Sequence, residues 1–136
     1  MAKRSTPGVT VLVTQLSRFI YRRTSEELLG MRVKEFASLA MLRAHSPVPQ
    51  QELGEILCVD ANNLVLLLND LESREFALRR RDPADRRRHL VEITDEGRRA
   101  LDAAEKGIES VEDDVLAPLT RTERAQLQTL LAKVLD

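Results

Sequence analysis

Only one cysteine, Cys58, occurs in the 136 residues. An internal disulfide is thereby excluded, and so is a zinc site built on cysteines. A single thiol fits a reducing, cytoplasmic setting. Tryptophan is absent, aromatics make up 3% of the chain, and there are five glycines and five prolines. So little aromatic and turn-forming material argues for helices over a sheet sandwich. The two histidines, His45 and His89, stand far apart, with no metal-ligand spacing around either. Neither Cys58 nor any serine has a plausible local base, and no glycine-rich phosphate loop is present. The chain is therefore not expected to be an enzyme, and no cofactor or metal is expected. The longest aliphatic run, Leu64 to Leu68, is far too short to span a bilayer. The start, Met1–Ser5, lacks an apolar signal core. No membrane association is expected.

What is present is a soluble, globular composition of 43% hydrophobic and 32% charged residues. The length suits one domain over residues 1–136. A net charge of −1 does not announce a nucleic-acid binder; the distribution of charge says more. Six arginines fall within the ten residues Arg79 to Arg88, while Glu105 to Asp114 is rich in acidic residues. The centre of the basic stretch, Asp82-Pro83-Ala84-Asp85, reads as a turn, because proline fixes φ and aspartate bonds its own backbone. Strand-like segments flank it, Phe76-Ala77-Leu78 before and Leu90-Val91-Glu92-Ile93 after, which predicts a β-hairpin over 76–93.

Helical periodicity fills most of the remainder. Residues 1–8 read as a polar leader. Val9–Leu29 has apolar residues at spacings of three and four, with Gly30 placed to end the helix. Val33–Ala44 is a second helix, broken by Ser46-Pro47-Val48-Pro49. Gln50–Leu57 is a short third helix that begins on Pro49. Cys58-Val59 is a turn, and Asp60 caps a fourth helix that runs to Ser73. Its residues Leu64, Leu67, Leu68 and Leu71 form one apolar stripe. Thr94 caps a fifth helix to Val115, and Thr120 with Glu123 forms a capping box for the last. Cys58, at the end of an apolar helix, is expected to be a buried structural thiol. The expected fold is mainly α with a small β-hairpin wing. It is a winged helix-turn-helix of six helices, with a DNA-binding region over 33–93. The terminal helices, 9–29 and 95–135, carry more apolar surface than the small central module covers and are expected to form a dimerisation region.

The fourth helix presents Asn62, Leu66, Asn69 and Ser73 opposite its leucine stripe, flanked by Asn63 and Val65. An asparagine amide there can pair with adenine or bond a phosphate oxygen. A wing-tip arginine can enter a minor groove and arm arginines can neutralise phosphates, with Asp85 orienting a neighbour. The expected DNA-binding residues are Gln50, Asn62, Asn63, Val65, Leu66, Asn69, Arg79, Arg81, Asp85, Arg86, Arg87 and Arg88.

The sequence resembles the MarR (multiple antibiotic resistance regulator) family of bacterial transcription factors. The carriers are Arg80-Arg81-Asp82-Pro83-Ala84-Asp85-Arg86-Arg87 with Val91-Glu92-Ile93-Thr94-Asp95-Glu96-Gly97, and Gln50-Gln51-Glu52-Leu53-Gly54 with Leu71-Glu72-Ser73-Arg74. The resemblance implies a homodimer held by its terminal helices. It also implies recognition helices in successive major grooves, Arg87 in a minor groove, and Asp85 as its orienting partner. It further implies a double-stranded DNA operator of pseudo-palindromic form and release by a small aromatic or phenolic effector. Peroxide-sensing members use a cysteine in the first helix, which this chain lacks. Family members often carry threonine or serine and then arginine where this chain has Val65 and Leu66, so the operator is not transferable from them. The expected function is a ligand-responsive repressor acting in the cytoplasm. The alternative is a ligand-binding or protein-interaction module of the same fold that binds DNA weakly.

Overall fold

A computed structural model of the chain describes residues 5–136. The first four residues of the polar leader, and most of the segment read for a signal core, lie outside the described residues. Contacts divide the chain into two compact units. One is Ser25–Gly107; the other joins the described residues up to Thr24 with Ile108–Asp136.

In the first unit, α2 (Glu26–Leu29), α3 (Val33–His45), β1 (Val48–Pro49), α4 (Gln50–Leu57), α5 (Ala61–Ser73), β2 (Ala77–Arg81) and β3 (His89–Ile93) follow in order. The first half of α6 (Asp95–Val115) completes it; the second half belongs to the other unit with α1 (Val9–Arg23) and α7 (Arg121–Leu135). Among the described residues there are thus six helices of eight residues or more, plus the single turn α2. The three strands form one antiparallel sheet in the order β1-β3-β2. Among the described residues, no helix is long and apolar enough to cross a membrane.

Two elements depart from the sequence reading. The helix expected over Val9–Leu29 is interrupted, because Thr24 is extended and its hydroxyl donates to the Ile20 carbonyl at 2.6 Å. Ser25 then caps α2 by accepting from the Leu28 N–H at 3.2 Å. Hydroxyl side chains that bond nearby backbone compete with the helical ladder. Gly30 ends α2 in the left-handed region at φ 72°, as its position foretold. The second departure is β1. Val48 and Pro49 pair with Val91 and Leu90; two residues are too few to show an alternation.

The core of the first unit is the predicted leucine stripe set against α3 and the sheet. Leu39, Leu42, Leu53, Leu68, Leu71, Val91 and Leu101 are fully buried, and Leu64 and Leu67 are buried beside them. Gly54 lets α4 approach α5 closely, since a Cβ there would stand 3.1 Å from Leu64 Cδ2. Cys58 ends α4 in the left-handed region at φ 54°. Its thiol is exposed, not buried as expected; the corner turns the side chain outward even though Ile56 and Leu57 beside it are half-buried.

One charged group is buried in this core. The Glu35 side chain is 5% exposed and accepts from Arg32 Nε and Arg74 NH1, each at 3.2 Å. Arg32 also reaches Asp70 on α5 at 2.7 Å, and Arg74 reaches the Gly30 carbonyl at 2.8 Å while stacking over Phe76. Burial pushes the Glu35 carboxyl upward, but hydrogen bonds from the Arg32 backbone, the Arg32 side chain and Arg74 outweigh it and hold it below the ordinary value. This cluster ties the α2–α3 corner to the end of the helix-turn-helix.

In the second unit, neither α1 nor α7 has a buried residue. The capping box foreseen at Thr120 is formed, with Thr120 N–H donating to Glu123 at 2.9 Å and Glu123 N–H to Thr120 at 3.1 Å. Leu16, Ile20, Val115, Leu116, Leu127 and Leu131 line an apolar groove of about 580 Å³.

Candidate nucleic-acid interface

The short α4 packs against α5, and the Cys58–Asp60 corner joins them. Asp60 caps α5 as expected, accepting from the Asn63 N–H at 2.9 Å. With the leucine stripe facing the core, the opposite face of α5 is left to solvent. Asn62, Asn63, Val65, Leu66 and Asn69 are all exposed, Leu66 to 62%. An amphipathic helix of 13 residues that turns asparagines and an aliphatic side chain outward is shaped for a groove rather than for its own core.

The hairpin stands beside this face. Ala77 pairs with Ile93, Arg79 with Val91 and Arg81 with His89. Between the strands the tip is held by short-range bonds. The Asp82 N–H donates to the Arg88 carbonyl at 3.0 Å, the Ala84 N–H to the Asp82 carboxylate at 2.9 Å, and the Arg88 N–H to the Asp85 carbonyl at 2.9 Å. Asp85 also accepts from the Arg87 N–H at 3.1 Å and stands 3.5 Å from the Arg87 guanidinium. The Arg87 side chain is 94% exposed. The aspartates thus order the turn while the guanidinium they flank projects into solvent.

The arms differ from expectation. Arg79 does not stand free for a phosphate. It lies on the sheet face shared with buried Val91 and Ala77, and its side chain turns to α5. There it bonds the Glu72 carboxylate, and its NH2 donates to Asn69 Oδ1 at 2.7 Å. Arg80 pairs with Glu92 at 2.9 Å, and Arg81 NH1 donates to the Arg86 carbonyl at 2.8 Å. Positive charge is therefore concentrated at the tip, on Arg86, Arg87 and Arg88, all exposed. Glu72 was not foreseen as part of this region. Its position three residues after Asn69 on α5 is the signal that could have placed it there.

The structure brings several of the expected residues together. Gln50, Val65, Arg87 and Arg88 line one cleft of about 730 Å³ with Asp60 and Cys58. Asn69 and Arg79 meet directly. Asn62 and Leu66 share the face of α5 but touch neither of these clusters through a hydrogen bond among the described residues.

A helix-turn-helix with an exposed second helix, followed by a charged two-stranded wing, is a winged helix-turn-helix. The model of the MarR family matches residues 32–89, from the N-cap of α3 to the first residue of β3. Among the chain's relatives is the HTH-type transcriptional repressor NicR of Pseudomonas putida, 32% identical over 75% of this chain. The match spans 65% of NicR, less than two thirds of its length. Solved structures superpose over nearly the whole chain. The PcaV transcriptional regulator of Streptomyces coelicolor, in complex with its natural ligand, has a TM-score of 0.76 at 28% identity and covers 98% of this chain and 96% of its own. A mutant MarR from E. coli, complexed with operator DNA, has a TM-score of 0.77 at 27% identity over 94% of each chain. The relatives and solved structures that the chain resembles are named transcriptional regulators.

Proposed function

We propose that the protein is a homodimeric, sequence-specific repressor that acts in the cytoplasm on a pseudo-palindromic operator and is released by a small aromatic or phenolic effector. The observation that carries the DNA reading is the pairing of an outward α5 face with a fully solvated Arg87 at an ordered wing tip. On this reading α5 enters the major groove through Asn62, Asn63, Val65, Leu66 and Asn69. Gln50 and Arg81 support it from the flanks, and Arg86, Arg87 and Arg88 meet phosphates and the minor groove. The dimer reading is supported by apolar residues left in solvent on α1 and α7: Val9 is 77% exposed, Leu130 60%, Val134 80% and Leu135 83%. Surface of that kind on a single chain is a partner surface, and a two-fold dimer suits two half-sites. NicR is named a repressor, and PcaV is described with a bound natural ligand. Both support extending repression and ligand response to this chain.

The test is a mobility-shift titration against DNA from upstream of the protein's own gene, at stated salt, with light scattering on the free protein. A dimer in solution that shifts such DNA, and releases it with a small phenolic compound, is expected. A dimer with only salt-sensitive, sequence-blind binding would favour the interaction-module reading, which the apolar Val65–Leu66 face keeps in view.

A further inference from the structure

Resting on the reading that α5 faces DNA, we propose that two asparagines of this helix are locked in opposite senses by charged neighbours and so read opposite hydrogen-bonding groups. Asn63 presents a carbonyl oxygen that no neighbour engages and reads an amino group of a base. Asn69 presents an amide nitrogen with both hydrogens unengaged and reads an acceptor.

The chemistry of each partner fixes the amide. Asn63 Nδ2 donates to Asp60 Oδ2 at 2.8 Å, while Asp60 Oδ1 takes the Asn63 backbone N–H at 2.9 Å. An ionised carboxylate only accepts, so the half of the Asn63 amide that meets it must be the NH2. Oδ1 of Asn63 is the half left over. At Asn69 the partner is a guanidinium, which only donates. Arg79 NH2 meets Asn69 Oδ1 at 2.7 Å, and Arg79 is itself anchored to Glu72. The half of Asn69 left over is therefore its NH2, with two donors. Both side chains are exposed, so the remaining halves are available to a ligand.

A bidentate pair with adenine needs both halves of one amide, the oxygen for N6–H and the nitrogen for N7. Neither Asn63 nor Asn69 has both halves unengaged. Asn62 makes no side-chain hydrogen bond among the described residues and alone of the three keeps the full amide. Asn63 instead suits a single bond from adenine N6 or cytosine N4. Asn69 suits guanine O6 or N7, adenine N7, thymine O4 or a phosphate oxygen, all acceptors. The two lie six residues apart, about 9 Å along the helix and about 120° around it, with Asn63 on the flank of the outward face, so they address different groups on the duplex. Arg79 and Glu72 are positioning residues here: they set which half of Asn69 faces outward.

The experiment starts from an operator selected by the parent protein out of random duplexes. Single groups are then deleted in the half-site: amino groups with purine for adenine or pyrimidin-2-one for cytosine, acceptors with 7-deazapurines or 4-thiothymine, and phosphate charges with methylphosphonates. Each duplex is titrated with parent, Asn63→Ala and Asn69→Ala. The parent should lose about five- to tenfold in affinity at one amino deletion, and Asn63→Ala should abolish that sensitivity. Asn69→Ala should abolish sensitivity to one acceptor deletion, a base arm and a methylphosphonate arm telling which. Arg79→Met, which frees the Asn69 amide to rotate, should blunt that same sensitivity although Asn69 is intact. Coupling of Asn69→Ala to an amino deletion, of Asn63→Ala to an acceptor deletion, or no coupling by either overturns the assignment. If the parent selects no sequence at all, the DNA-reading function itself fails and this inference with it. Selection with the wrong couplings overturns the amide assignment alone.

Discussion

The Glu35 carboxylate bridges Arg32, three residues before it, and Arg74, 39 residues after it, 3.2 Å from a nitrogen of each. Both arginines reach solvent, so removing the carboxylate strands no charge in the core; it forfeits charge-assisted hydrogen bonds and the link between the α2–α3 corner and the end of α5. Glu35→Gln should cost about 2 kcal/mol, read as a lower urea midpoint with an unchanged slope. The pH dependence follows from the carboxyl lying below its ordinary value. Its contribution is fully present above the unfolded-state pKa and is lost as pH falls through the folded one. Parent and Glu35→Gln should therefore converge in stability on acidification, and a constant gap down to low pH would remove the carboxylate from the account.

Gly97 is the glycine for which the family-like Ile93-Thr94-x-x-Gly pattern has a physical reason. A Cβ at this position would overlap the Phe76 carbonyl oxygen and stand 2.9 Å from Ile93 Cγ1. That carbonyl already accepts from the Thr94 N–H at 3.1 Å, so it has no room to retreat. Gly97→Ala should destabilise by about 2 kcal/mol or more, despite the helix propensity gained. A melting temperature equal to the parent's would show that the start of α6 yields.

Arg87→Ala should leave thermal stability unchanged, because the side chain is 94% exposed. Operator affinity should fall by about 1–3 kcal/mol. If the contact is to phosphate charge, the salt slope should also fall by about one. Asp85→Ala should cost less, since it loosens the tip without removing the cation. Equal affinity of Arg87→Ala and parent at the same salt would place the wing outside the groove.

Leu66 is 62% exposed on the face turned from the core. Leu66→Ala should change stability by no more than about 0.5 kcal/mol. As an apolar reader of a thymine methyl, it should make parent binding sensitive to one thymine-to-uracil replacement, and the variant should lose that sensitivity with an unaltered salt slope. If uracil is accepted everywhere by the parent, Leu66 reads no methyl.

The elements with strong local signals were legible in the chain. The leucine period of α5, its Asp60 cap and the Thr120 capping box all depend on residues within one or two turns of one another, and each stands where its spacing put it. The hairpin was legible for the same reason. What escaped depends on partners distant in sequence or on a single dihedral. Val48 becomes strand only because Val91 lies beside it. Arg79 turns inward only because the register puts it on the face of Val91, within reach of Glu72; in one dimension it looks like its neighbours. Cys58 is exposed because one residue adopts φ 54°, which the apolar residues around it conceal. The apolar period of the first segment runs on through Leu28 and Leu29 and masks the stop at Thr24.

The order β1-β3-β2 also leaves two outer borders on the sheet. One is only two residues long and includes Pro49, which has no N–H to offer. The other is Ala77–Arg81, with three consecutive arginines. Unpaired strand borders invite other strands, and shortness, proline and charge each discourage that. A strand added to this border would have to pass long side chains already tied to Glu72, Glu92 and the Arg86 carbonyl. The arginine-rich border thus gives the chain a guard against growing a continuous sheet with its own copies, separate from any service it renders to DNA.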